Sequence, residues 1–494
     1  MSSRGARRIR PTDIAVASLA LWLVALAALV ALAPAARAGG PGEWTDLSGP
    51  VGSLLVQPRV ARDATGMLHV VWITAGAKQD LKQRPIAADG TAGAVQTLAA
   101  AWPTLTNPAL VYDGAAAANQ LMVFAGGIRS GDAAETHSGL NWWASSDGGS
   151  TWALQPGLVS GPGGIAYSSD ISAVATPSAV FQTWFGTAGV FVHRGLAAGS
   201  DQNVNDVGDY GYNSALAFDA TGNKLYVVAA YNATGKPGLW AREIDQTTGA
   251  GQGLSFQLPQ STTDYSGTES FDMKQTTVPV TGLVGQGGVV VAYPTGYPST
   301  TTLRVWKIAG GTTTTAALAA GVSEKGATAV AADPDGRAWV VWTDNGGTVR
   351  RVYACRSNVG ASAWGAAVSV AGPAGTSSLW QLAAAAQSGR LDVLGQFTAG
   401  DANRIYHTQL LAGLSVSVAP ARVKPGAAFT AVVTAKDAGV AVAGATVTIA
   451  GKSVTTGADG VAKLKLKAGK AGKLAVTVQK AGYAKASAAI SVKR

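Results

Sequence analysis

Ser145-Ser146-Asp147-Gly148-Gly149-Ser150-Thr151-Trp152 decides how this chain is read. In a Ser-x-Asp-x-Gly-x-Thr-Trp order each fixed residue has a folding task. The Asp carboxylate accepts backbone N–H bonds inside a tight turn, Gly supplies dihedrals that other residues avoid, and Trp plugs the space between neighbouring strands. Ser145, Asp147, Gly149 and Trp152 are therefore structural residues, and any chemistry has to come from elsewhere in the chain.

Around this turn a longer phrase recurs: an apolar strand, an Asp-x-x-Gly turn, and a second strand rich in Val and aromatic residues. It is clearest at Pro58–Trp72, Asn213–Tyr231 and Ala327–Trp342, and weaker at Pro108–Phe124, Ser169–Phe185, Thr276–Tyr293 and Leu379–Phe397. The spacing of roughly 45 to 60 residues is that of four-stranded propeller blades. Seven units are counted, with six as the alternative. Two units continue through a third strand and a turn to a strand opened by Trp, at Asn141 through Trp152 and at Tyr353 through Trp364. In the second, Val359 and Ala361 stand where Asp and Gly are expected. The last unit ends near Leu410 without such a strand, whereas Glu43-Trp44-Thr45-Asp46-Leu47 is a strand without a unit. Pairing the two removes two exposed sheet edges and predicts contact between Trp44 and the strands around Tyr406.

Residues 145–152 resemble the Asp-box of the sialidase and BNR-repeat superfamily, which implies a β-propeller over residues 39–411. A catalytic member of that family implies a Tyr nucleophile paired with Glu, an acid/base Asp, and three Arg clamping a substrate carboxylate; bidentate guanidinium bonding suits a planar carboxylate. The first of those Arg belongs to a Phe/Tyr-Arg-Ile-Pro motif. Aligning its Pro with Pro58 places Val56 at the Arg position and Leu55 at the aromatic one, so one clamp is missing; Arg59 is close but is not given the role. Arg129, Arg194, Arg242, Arg304 and Arg404 are the other candidate clamps, and Tyr265 with Glu269 is a candidate phenol and carboxylate pair. Spacing selects none of them.

Residues 412–494 change to an Ala, Val, Lys and Gly composition with period-two alternation, as in Ala445–Ile449, Val461–Leu466 and Leu474–Val478. About seven such runs make a sandwich-sized unit. The stretch Gly444–Val447 through Thr456–Ala462 resembles bacterial Ig-like and carboxypeptidase-regulatory-like modules, where a Thr-x-x-Asp-Gly hairpin joins two strands. The fold class expected is thus all-β, a propeller followed by a small Ig-like sandwich.

Charge follows the same division. Residues 411–494 hold 13 Lys and Arg against Asp437 and Asp459, residues 1–38 hold five Arg against Asp13, and the middle holds 20 basic against 25 acidic residues. A basic terminal unit is drawn to anionic polymers or headgroups by screened Coulomb attraction; a solvated Lys-rich surface is the plainer reading. Its only aromatic residues, Phe429 and Tyr483, offer no stacking platform for nucleic acid. Arg4, Arg7, Arg8 and Arg10, the uncharged run Ile14–Ala33 and the triplet Ala36-Arg37-Ala38 form a secretory signal peptide over residues 1–38, with an uncleaved anchor as the alternative. A secreted or surface location follows, with membrane contact only through that segment or peripheral basic residues.

Cys355 is the sole cysteine and sits in a strand-like run, so it reads as a buried thiol and not a nucleophile. His69, His137, His193 and His407 are isolated, which disfavours a zinc site. Asp201, Asn203, Asn205, Asp206 and Asp209 place oxygens in a pattern that suits calcium, although Asx-rich turns look the same. No other cofactor is required. The expected function is recognition of an extracellular glycan or anionic surface polymer without catalysis, with Trp102, Trp142, Trp184 and Trp380 as candidate stacking residues. An exo-acting sialidase-type glycosidase and a protein-binding adhesion or structural protein are the alternatives.

Overall fold

A computed structural model describes residues 38–52, 57–114, 120–128, 139–157, 159, 171–186, 189–199, 201–208, 211–233, 236–258, 261, 277–295, 302–309, 312–318, 325–344 and 349–494. The signal segment up to Arg37 lies outside them. Among the described residues every regular element is a β-strand, and the strands form nine sheets of four or five strands.

Seven antiparallel sheets follow one another along the chain. With the short Thr104–Leu105 counted together with Ala109–Asp113, since both pair with Gln120–Ile128, their first strands are Arg59–Arg62, Ala109–Asp113, Ser172–Ala175, Gly211–Asp219, Val280–Gly282, Lys325–Asp333 and Thr376–Gln387. Each pairs with the next strand in sequence, so every repeated phrase folds as the opening hairpin of one sheet. Each first strand also packs beside the first strand of the next sheet, and the seventh beside the first. The sequence explains this stacking. Second strands such as Val289–Thr295 are buried at every position, because sheets cover them on both faces, and a strand buried on both faces must be apolar throughout. Trp72, Trp143, Trp184, Trp306, Trp339 and Trp342 are fully enclosed between sheets, and each removes roughly 150–250 Å² from water.

The Asp of the recurring turn works in two ways. Asp63 and Asp219 accept N–H bonds from their own turns, at 2.9 Å from Thr65 and 2.9 Å from Gly222. Asp333 instead reaches the seventh sheet, accepting from Ser388 N and Gly389 N, both at 2.9 Å. In the sixth sheet the turn that departs from the Asp-box pattern is rebuilt by Asn358, whose Oδ1 accepts from Ser362 N and Ala363 N at 2.9 Å each. A bridge between Ser357 and Trp364 closes it.

The N-terminal strand Thr45–Gly52 completes the seventh sheet by pairing antiparallel with Ala402–Leu411, with Thr45 opposite His407 and Asp46 opposite Tyr406. Asp46 forms an ion pair with Arg404 at 2.6 Å. Trp44 donates its indole N–H to Ala371 O at 2.6 Å and meets Phe397 edge-on at 4.9 Å; Phe397 in turn meets Tyr406 at 5.7 Å. Leu47, 1% exposed, enters a core shared with Leu394 of the seventh sheet and Trp72 of the first. The contact expected between Trp44 and the strands around Tyr406 is present.

The last two sheets enclose a separate core that includes Val433, Val447, Leu466, Val478 and Ile490. One contains Ser415–Ala419, Ala428–Asp437, Val440–Ala441 and Val461–Lys467; the other contains Arg422–Val423, Thr446–Ile449, Lys452–Thr455, Gly472–Gln479 and Ala486–Val492. Here the hairpin reading of Thr456–Gly460 is corrected. Lys452–Thr455 pairs with Thr446–Ile449, whereas Val461–Lys467 pairs with Ala428–Asp437, so the turn carries the chain from one sheet to the other. Asp437, 2% exposed, bonds to Arg356 of the sixth sheet, to Arg337 at 3.3 Å and to the Tyr483 hydroxyl at 3.2 Å. Arg356 lies over the rings of Trp339 at 5.6 Å and Tyr483 at 5.7 Å, which fastens the terminal sheets to the sixth.

Candidate functional site

The seven first strands line one cavity of about 220 Å³. The residues that line it are mostly small and aliphatic, among them Val60, Leu110, Ala173 and Leu216. Arg59 is the exception. Its guanidinium crosses from the first sheet, donating to Pro108 O at 2.7 Å, to Thr277 Oγ1 at 3.1 Å and to Ile171 O at 3.4 Å. Pro108 directly precedes Ala109–Asp113 of the second sheet, Ile171 precedes the third sheet and Thr277 the fifth, so one cation of the first sheet reaches three others at the end where first strands begin. Gln57 joins them there, its amide donating to Leu382 O at 3.3 Å. Among the described lining residues there is no carboxylate and Arg59 is the one arginine. Arg59 carries no role in the sequence reading, because strand alternation turns it by a different amount from the Arg position of the motif.

The four described candidate clamps are not among the residues that line this cavity. Arg194, Arg242, Arg304 and Arg404 lie on third strands of four different sheets. Arg194 donates to Gln246 O at 2.8 Å, Arg242 to Val204 O at 2.7 Å, and Arg404 pairs with Asp46. Arg129, His137, Tyr265, Glu269, Leu55 and Val56 lie outside the described residues.

The Asp-box residues form a closed set of bonds. Ser145 Oγ donates to Asp147 Oδ1 at 2.8 Å and accepts from Gly149 N at 2.8 Å; Asp147 accepts from Thr151 N at 2.9 Å and Thr151 Oγ1 at 2.6 Å. The Thr151 hydroxyl and N–H, followed by Ser145, hold the Asp147 carboxyl down at about 2. Trp152 donates to Gly149 O at 3.1 Å and packs against the core between the first two sheets. Gly149 has φ +80° and faces His69 of the first sheet, so a Cβ there would lie 2.8 Å from the imidazole.

The three described histidines, His69, His193 and His407, are hydrogen-bonded. Burial pushes the His69 pKa down while Asp63, at 3.1 Å, opposes it, and Gln83 donates to its Nδ1 at 3.2 Å. His193 bonds Asp201 at 2.9 Å and His407 bonds Asp392 at 2.9 Å. The Cys355 thiol is pushed up by burial, which keeps it protonated.

The proposed calcium residues are drawn to different partners. Asp201 faces His193, Asn203 accepts from Asn205 N at 3.0 Å, and Asn205 accepts from Val207 N at 3.2 Å. Asp206 accepts from Ser255 N at 2.9 Å and lies 3.7 Å from Arg242; Asp209 lies outside the described residues. Among the described residues no group of three or more His, Cys, Asp or Glu side chains is placed to hold a metal ion.

Of the four candidate stacking residues, Trp102 and Trp184 are core residues, at 4% and 0% exposed, and Trp142 lies half-buried on Phe124 with ring centroids 6.3 Å apart. Trp380 differs. It is 43% exposed and sits at a break in pairing register between Leu379 and Gln381, where a bulge re-aims a side chain. Its indole N–H donates to Thr398 Oγ1 at 2.9 Å, which fixes the ring, and Leu382, two residues on, lines the cavity.

No protein-family model matches the chain, and no curated protein matches it. Among solved structures, the BP39L lectin from Burkholderia pseudomallei is similar at 15% identity with a TM-score of 0.50, over 72% of this chain and 96% of the lectin. A polysaccharide lyase, Uly1, aligns at 9% identity and a TM-score of 0.45, over 77% of this chain and 93% of the lyase. A Trypanosoma rangeli sialidase in complex with the inhibitor DANA aligns at 8% identity and a TM-score of 0.38, over 74% of this chain and 59% of the sialidase. The likeness to the lectin is one of all-β fold alone.

Proposed function

We propose that this is a secreted glycan-binding protein, in which residues 39–411 form a seven-bladed β-propeller, residues 412–494 form an Ig-like module, and residues 1–38 direct export. The observation that carries the reading is Trp380: a large ring, half in solvent, on the first strand of the seventh sheet, which lines the central cavity at Leu382, and held by Thr398 of the second strand. An aromatic face presented in this way stacks on the apolar face of a sugar ring at little entropic cost, since its rotamer is already fixed. The central cavity itself, at about 220 Å³ and crossed by Arg59, is smaller than the roughly 300–1,000 Å³ of ordinary ligand sites, so the glycan lies across the mouth and sends at most a substituent inward. Among the described lining residues, Gln57 and Arg59 carry hydrogen-bond donors.

A glycan array tests the proposal. Wild type is expected to bind a defined set of glycans, and Trp380→Ala to bind the same set about tenfold more weakly, in line with the loss of one aromatic stacking contact. Trp380→Phe restores most of the affinity. Unchanged binding in Trp380→Ala, with an unchanged melting temperature, removes the site.

A catalytic reading of the same face retains one observation. Thr277, which meets Arg59 in the cavity, follows in sequence the segment that carries Tyr265 and Glu269. Turnover of a fluorogenic sialoside, abolished in Glu269→Gln, would replace binding with hydrolysis as the function.

A further inference from the structure

The sheet built from Ser415–Ala419, Ala428–Asp437 and Val461–Lys467 has one face in the core and one in solvent. Alternation along Val461–Lys467 puts Ala462, Leu464 and Leu466 inward and Lys463, Lys465 and Lys467 outward. Register then fixes their neighbours: Lys463 lies opposite Val432, Lys465 opposite Thr430 and Lys467 opposite Ala428. Lys436 lies opposite Ser415, and Thr434 opposite Ser417, on the same face. The outer face is therefore a flat field of small and hydroxyl-bearing residues crossed by a straight row of ammonium groups. Positions two apart along a strand put successive lysines roughly 6.7 Å from one another.

No counter-charge accompanies them. Among the described residues, no ion pair involves Lys436, Lys463, Lys465 or Lys467. Of the two carboxylates in residues 411–494, Asp437 is consumed in the interior by Arg356 and Arg337, and Asp459 caps its own turn by accepting from Val461 N at 3.0 Å. Elsewhere the same chain pairs its surface cations with nearby carboxylates, as in Lys82 with Asp80 at 2.9 Å, Lys224 with Glu243 at 2.7 Å and Arg404 with Asp46 at 2.6 Å. Like charges along one strand repel, and opposite charges across strands are the stabilising arrangement, so this row works against the fold that carries it.

We propose that this face binds a linear anionic polysaccharide, with the acid groups of the polymer on Lys463, Lys465, Lys467 and Lys436 and its hydroxyls on Thr430, Thr434 and Ser417. An extended chain matches a straight row of charges on a flat sheet. The face lacks the exposed aromatic residues that stack nucleobases and the bulky apolar residues that enter a bilayer, which sets this polymer ahead of nucleic acid and membrane. Carboxylated and sulfated sugars share the required chemistry. This site is independent of Trp380 and places a second glycan contact on the other unit of the molecule.

Val461–Lys467 is paired on one side only, and lysines on an edge strand also serve to block aggregation, so the test must separate the two roles. Full-length protein is titrated with polygalacturonate, with heparin, with neutral dextran, and with vesicles of phosphatidylserine and phosphatidylcholine. Salt-sensitive binding to at least one of the two anionic polymers, and none to dextran, is expected. The triple variant Lys463→Gln, Lys465→Gln, Lys467→Gln should weaken that binding by about tenfold or more, taking each lysine as an ordinary exposed ion pair. The variant Lys452→Gln, Lys473→Gln, Lys493→Gln, which removes the same charge from the opposite sheet and its end, should change it by less than about twofold. Trp380→Ala should leave it intact, which separates failure of this site from failure of the propeller site. Equal losses in the two triple variants, binding to vesicles but to neither polysaccharide, binding to neither, or aggregation of the first triple variant with unchanged polymer affinity would each overturn the proposal.

Discussion

Gly148 and Gly149 are adjacent, share a left-handed conformation at φ +68° and +80°, and differ in what surrounds them. A Cβ on Gly148 meets nothing within 4 Å, whereas one on Gly149 lies 2.8 Å from both Cε1 and Nδ1 of His69 and 3.5 Å from Leu121. Ala at either position carries the left-handed penalty of about 1–2 kcal/mol. Only at Gly149 does an overpacking cost of about 1–3 kcal/mol add to it. His69 cannot move aside cheaply, since it is fully buried and held between Asp63 at 3.1 Å and Gln83 at 3.2 Å. Gly149→Ala is thus expected to lose about 2–5 kcal/mol and Gly148→Ala about 1–2 kcal/mol, before a small offset from the stiffer unfolded chain. Urea unfolding followed by tryptophan fluorescence reads both, with the m-value checking that the transition is unchanged. Equal midpoints for the two variants would show that the Asp-box turn does not seat against the first sheet, and the packing argument would fail.

Other outcomes follow from the same contacts. Because the folded Asp147 carboxyl titrates at about 2, below its ordinary 3.8, its contribution is present above the ordinary value and lost as pH falls through about 2. The stability gap between wild type and Asp147→Asn is therefore expected to stay constant from pH 7 to about 5 and to close near pH 2 in a series of thermal melts. It should be under about 1 kcal/mol, since the turn is exposed. Asp201 and Asp206 already bond to His193, Ser255 and Arg242, so titration calorimetry with calcium is expected to be silent; a heat that disappears in Asp201→Ala, Asp206→Ala would establish the ion.

The opening hairpins were legible in the sequence because burial on both faces forces their second strands into long apolar runs, as in Leu68–Thr74 and Arg337–Asp344. Trp44 made the isolated N-terminal strand legible for a similar reason: a bulky ring before Thr45 needs neighbouring sheets to cover it. Fourth strands carried far less signal. Ala153–Leu154 is two residues long, and Gly251–Gln257 has no buried residue, so neither is held to an alternating pattern. The role of Asn358 was hidden because an amide in place of Asp, at a shifted position, makes the same bonds without the motif. Arg59 and Trp380 were visible as residues and not as a site. Which way a first-strand side chain points depends on sheet packing, and the exposure of Trp380 depends on a bulge that leaves no mark in the sequence. The same limit explains why Arg194, Arg242, Arg304 and Arg404 were equal candidates until their third-strand positions were known.

The whole account depends on the N-terminal strand completing the seventh sheet, since that pairing brings the seven sheets together around the cavity beside Trp380. Asp46 and Tyr406 are direct cross-strand partners, within the Cα separation of about 4.4–6.8 Å that a disulfide accepts. In the double variant Asp46→Cys, Tyr406→Cys, peptide mapping under non-reducing conditions is the most direct measurement, with the buried Cys355 as an internal control for a free thiol. A 46–406 disulfide in the folded protein, with Cys355 unmodified, is the predicted result. Free thiols at both engineered positions after oxidation, in a protein that remains folded, would contradict it.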